Sequence, residues 1–128
     1  MNRWIIAFSG ALGACAVGLG ALGAHLWRSQ LPPETYATLT MAITYMVVHA
    51  VVVLGVGILA GQFANNRWFK AAALLLMLGI ILFSGGLILR SVTGLAEFGH
   101  LTPYGGIALI LGWLTISLGG IFNQSSSS

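Results

Sequence analysis

Four long apolar stretches, Trp4–Leu26, Thr38–Phe63, Phe69–Leu89 and Pro103–Phe122, fill most of the chain, and short polar segments separate them. Each runs 20 residues or more, and Lys70, at the start of the third, is the one Asp, Glu, Lys or Arg in any of them. About 20 predominantly apolar residues in a helix cross the hydrocarbon core. Lipid offers the backbone no hydrogen bonds, so a spanning segment is a helix or part of a closed barrel. These stretches are too long and too continuously apolar for the alternating strands of a barrel. The pattern predicts an all-α protein, a four-helix transmembrane bundle with helices at about 4–26, 38–63, 69–89 and 103–122. One membrane domain, residues 1–124, then holds everything except the low-complexity Ser125–Ser128 tail, to which no role is assigned.

The connections are short, so each helix is expected to run antiparallel to the next in an up-down-up-down order. Pro32-Pro33 blocks continuation of the first helix into the second. Asn65-Asn66 marks the second connection. Thr102-Pro103 reads as an N-cap followed by proline at the first helical position. Ala21-Leu22-Gly23 loosely resembles a leader cleavage site, but the apolar run before it exceeds a usual leader core, so the first segment is expected to be a retained span.

The first helix sorts into two faces. Phe8, Leu12, Cys15, Leu19, Leu22 and Leu26 make a mostly large ridge. Gly10, Ala14, Gly18 and Ala21 make a small-residue groove ending at His25, with Gly13, Ala16, Gly20 and Ala24 widening it. Small residues let membrane helices approach closely, so this helix is expected to be the most buried of the four. Gly57 and Gly61 on helix two, and Ala108 and Gly112 on helix four, offer further small pairs.

Composition sharpens the class without adding chemistry. The chain is 58% hydrophobic and 5% charged, against about 25% charged in an ordinary soluble domain. Five basic residues against two acidic ones are too scattered for a nucleic-acid footprint. Arg3, Arg67 and Lys70 fall on one side of the membrane and Arg28 and Arg90 on the other, a small bias that favours cytoplasmic termini. Trp4, Trp27, Trp68 and Tyr104 sit near helix ends, where amphipathic rings prefer the interface. The lone Cys15 is expected to be a packing residue.

Candidate chemistry narrows to two places. His49 lies near the middle of helix two, with Tyr45 one turn away on the same face, and Ser84 of helix three is a candidate partner at similar depth. An ionisable residue at mid-membrane marks a functional site unless packing satisfies it. The second place is an outer rim of His25, Arg28, Glu34, Arg90, Glu97 and His100, where each connection pairs an Arg with a Glu. The three histidines come from separate segments without metal-ligand spacing, so no metal is expected. No phosphate loop or nucleophile signature is present, and neither acid lies in a span. The expectation is a protein that is not an enzyme and needs no cofactor.

Gly20-Ala21-Leu22-Gly23-Ala24-His25, Ala42-Ile43-Thr44-Tyr45 with His49-Ala50, Leu82-Phe83-Ser84-Gly85-Gly86, and Thr102-Pro103-Tyr104-Gly105-Gly106 with Gly112-Trp113 together resemble the domain-of-unknown-function 423 family. That family is in turn similar to the small eukaryotic transmembrane protein 256. The resemblance covers essentially the whole chain and implies a four-helix protein of the bacterial inner membrane, with His25, Tyr45, His49, Ser84, Thr102 and Pro103 on its pattern. It carries over no reaction and no catalytic residue. His100 and the segment around it depart from the pattern.

Three functions fit these features. The leading one is an accessory or scaffold subunit that works by helix–helix association, its partners being the lipid bilayer and a larger membrane complex or a second copy. The alternative is a small-solute or ion pathway lined by His49, Tyr45 and Ser84 and opening toward His25. The third is a site for lipid, quinone or haem.

Overall fold

A computed structural model describes residues 2–123; the Ser125–Ser128 tail lies outside the described residues. Four helices are long and apolar enough to cross a membrane, and no strand occurs among the described residues. The first, α1 (Asn2–Leu22), passes without a break into a π-helical turn at Gly23–Trp27 and a last α-helical turn at Arg28–Gln30. Then come α2 (Pro33–Gln62), α3 (Arg67–Thr93), a 3₁₀ turn at Ala96–His100, and α4 (Thr102–Ile121). The chain is a four-helix transmembrane bundle in up-down-up-down order.

The helices outrun the apolar stretches that signal them. Hydropathy marks the hydrocarbon, whereas the backbone keeps its helix into the interface, where water also satisfies polar side chains. The expected connection at Trp27–Ala37 therefore shrinks to Leu31 and Pro32, with Pro33 in the first turn of α2. At the far end of α3, Gly94 takes the left-handed conformation (φ 74°) and its N–H closes on the Arg90 carbonyl, a glycine C-cap. Asn66 caps the start of α3 by accepting from the Trp68 N–H at 3.0 Å. Its amide also donates to the Gly119 carbonyl at 2.9 Å, which ties the turn to the end of α4. Thr102 is no N-cap. The 3₁₀ turn enters α4 through Leu101 in helical conformation, and the Thr102 hydroxyl is turned into the packing beside Gly86.

The packing is serial: α1 lies on α2, α2 on α3, and α3 on α4. The tightest join is the last. Gly105, Gly112 and Gly119 of α4 recur every seven residues and meet Phe83, Leu76 and Phe69 of α3, while Gly79 of α3 takes Leu109 in return. A seven-residue repeat keeps one seam facing its partner in a left-handed crossing.

The expectation for α1 is overturned. Of the four spans it buries the smallest share of its residues. Its contact seam is Ile5, Ser9, Ala16 and Gly23, which takes in the groove's widening edge at Ala16, Gly13 and Gly20 but not its centre. Gly13 lies against Ala50, Gly20 against Ile43 and Gly23 against Tyr36 of α2, with Gly57 admitting Ile5. Gly10, Ala14, Gly18 and Ala21 are exposed, and a Cβ at Gly10 or Gly18 would meet nothing within 4 Å. Small residues permit close approach without selecting which side is approached. The large side chains of α2, led by Tyr36 and Ile43, choose the seam.

Candidate functional site

His49 is 4% exposed, and its neighbours differ from those the sequence suggests. Its Nε2 accepts a hydrogen bond from the Trp113 indole Nε1–H of α4 at 3.2 Å. An indole nitrogen only donates, so Nε2 must carry the lone pair and the proton must sit on Nδ1. Nδ1 lies 2.7 Å from the Tyr45 carbonyl one turn back on the same helix, which accepts that proton. The neutral Nδ1–H tautomer thus has both ring nitrogens engaged.

Two aromatic rings meet this imidazole, and a third backs one of them. Tyr45 stacks on it with 5.8 Å between centroids and 14° between planes, and Trp113 meets it edge-on at 5.8 Å and 76°. Phe83 of α3 closes on Tyr45 at 4.8 Å. The cluster joins α2 to α4 across α3, two helices that are not among the closely packed pairs. Ser84 does not bond His49. It is 1% exposed and donates to the Ala42 carbonyl of α2 at 2.8 Å, clasping α2 to α3 about two turns from His49.

His25 lies apart from this cluster. It is exposed within the π-helical turn of α1, whereas His49 faces Trp113 on α4. A pathway needs His49, Tyr45, Ser84 and His25 around one lumen. The geometry instead commits the first and third to protein partners and puts His25 on another helix surface. Among the described residues no three His, Cys, Asp or Glu side chains converge as metal ligands would.

The outer rim is only partly assembled. Glu34 and Arg90 line one open groove between the start of α2 and the end of α3. Arg28, Glu97 and His100 are exposed outside its lining. The stem of Arg90 packs on Gly99 of the 3₁₀ turn, where a Cβ would come within 3.0 Å of Cδ.

Trp113 is the residue the sequence reading missed. A usable signal was present: unlike the other three tryptophans it sits midway along a span, where a buried N–H usually requires a partner. The seven-residue recurrence of glycine on α4 was equally readable. The π turn had no such signal. Gly23, at its start, packs against the Tyr36 ring, to which a Cβ would stand 3.7 Å away.

Fold and site together define a small four-span membrane protein in which buried Ser9, His49 and Ser84 bond to backbone or to Trp113, while the buried Thr102 hydroxyl has no partner among the described residues. The chain belongs to the family described as protein of unknown function (DUF423), whose model matches residues 19–106. It is 38% identical over 112 residues to a UPF0382 membrane protein of Staphylococcus saprophyticus, covering 86% of this chain and 91% of that one. It is 35% identical over 113 residues to the Bacillus subtilis UPF0382 membrane protein YwdK, covering 88% and 92%. It is 29% identical over 120 residues to the Escherichia coli UPF0382 inner membrane protein YgdD, covering 94% and 91%. No solved structure matches. The chain is a multi-pass protein of the bacterial inner (plasma) membrane.

Proposed function

We propose that this protein is a non-enzymatic accessory or scaffold subunit that acts by helix–helix association, with the free face of α1 as its contact surface. One observation carries the reading: the span with the least internal packing also turns Gly10, Ala14 and Gly18 outward. Lipid has no need of such residues. A helix does, because close backbone approach is a main source of association where no hydrophobic driving force exists. The engaged state of His49 supports the same reading, since it leaves the interior cluster a packing role.

Crosslinking in native membranes, followed by purification in mild detergent, tests this. The expected product is a crosslinked species containing this chain and a second transmembrane chain, either another copy or a different protein. Gly18→Leu is expected to abolish that species and leave thermal stability of the monomer unchanged, because nothing within the chain lies against Gly18. A strict monomer in the native membrane, or crosslinking indifferent to Gly18→Leu, contradicts the proposal.

A further inference from the structure

The groove between the N-terminal turns of α2 and the C-terminal turn of α3 has a volume of about 620 Å³, within the range of small-molecule sites. Its polar lining is Glu34, Thr35, Thr38, Arg90, Ser91 and Thr93, and apolar side chains including Leu31 and Val92 complete it. The groove lies where two spans end, at the depth of lipid headgroups. It holds one fixed cation and one fixed anion. A site for anionic lipid carries a surplus of basic residues; this one is balanced.

We infer that the groove binds a phosphoethanolamine group, the zwitterionic headgroup chemistry of a phospholipid or of its soluble diester. The Arg90 guanidinium, braced on Gly99, donates to the phosphate oxygens in the forked geometry that suits them. The Glu34 carboxylate accepts from the primary ammonium, which a trimethylated ammonium with no N–H cannot replace. Ser91, 8% exposed, also belongs to the lining. The ligand is recognised at both ends, which a lone cation site does not do.

Native mass spectrometry of the detergent-purified full chain tests this, with phosphatidylethanolamine, phosphatidylglycerol and phosphatidylcholine of identical acyl chains added singly and in competition. Wild type is expected to retain the ethanolamine lipid about threefold to fivefold over the other two, the scale of one solvent-exposed charge pair. Glu34→Gln is expected to erase that preference while binding of phosphatidylglycerol persists. Arg90→Gln is expected to weaken all three, and Arg90→Lys to restore part of the loss. Glu34 is exposed, so the folded state is expected to survive Glu34→Gln. The Glu34→Gln ratio decides the matter even if Arg90→Gln fails to fold. Displacement of bound lipid by soluble glycerophosphoethanolamine identifies the free diester as a sufficient ligand; lack of displacement alongside lipid selectivity identifies the lipid. Equal retention of the three lipids by wild type, or an unchanged ratio in Glu34→Gln, overturns the inference.

Discussion

Gly105→Ala is expected to destabilise the protein by about 3 kcal/mol, the upper end of what one inserted methyl group costs in a packed interior. A Cβ at Gly105 would stand 2.8 Å from the Gly79 carbonyl oxygen and closer still to the Phe83 nitrogen. Both are backbone atoms, so no rotamer change relieves the clash; α3 and α4 must separate. Separation also loosens Leu76 against Gly112 and Phe69 against Gly119, because the three contacts lie on one seam. Gly85→Ala is the matched control: it adds the same methyl to α3 where nothing lies within 4 Å. It should be neutral or slightly stabilising, since alanine favours helix. Unfolding in mixed micelles titrated with SDS measures both variants. Equal midpoints for the two would remove the glycine seam from the account.

The second large effect concerns the pair that spans α3. Trp113→Phe keeps an aromatic ring and removes only the N–H, leaving His49 Nε2 buried without a donor. The expected loss is about 1–2 kcal/mol, set by the desolvation of an unsatisfied buried acceptor. His49→Leu should cost less than its burial suggests, because an apolar side chain at that depth needs no partner. The double variant should recover part of the single losses. The expected coupling is about 0.6 kcal/mol, the average found for hydrogen bonds between membrane helices, with about 1.7 kcal/mol as the upper bound. Additive single effects, measured by the same SDS titration, would mean that the 3.2 Å contact contributes nothing.

Much of this architecture is legible in the sequence, and the reason is physical. Twenty apolar residues in lipid have few conformational options, so the four spans and their antiparallel order follow directly from Trp4–Leu26 and its three counterparts. Punctuation by Pro33 and Asn66 is equally local. Neighbours are another matter. The glycine and alanine content of α1 advertises close packing, yet the helix with the tightest glycine seam is α4. The difference lies in which partner presents large side chains opposite the small ones, a property of two helices at once. His49 shows the same limit: its depth and burial follow from its place in α2, whereas its bond to Trp113 crosses 64 residues of chain. Ser84, the partner suggested by depth alone, turns instead to the Ala42 carbonyl. The outer rim reads worst. Charges at helix ends have long side chains and open surroundings, so nothing in the sequence distinguishes Glu34 and Arg90, which share a groove, from Arg28 and Glu97, which line none of it.

The protonation state of His49 in a lipid bilayer is the central test, because a closed clasp fixes one tautomer at the mid-membrane cluster and an open site does not. Solid-state ¹⁵N NMR of histidine-labelled protein reads it directly, with His49→Gln assigning the signal. The expected result at neutral pH is a single neutral tautomer, protonated at Nδ1 and bare at Nε2, whose Nε2 resonance moves when Trp113 becomes Phe. An imidazolium, an Nε2–H tautomer, or a resonance indifferent to Trp113→Phe would contradict the clasp and return His49 to the list of residues free to act.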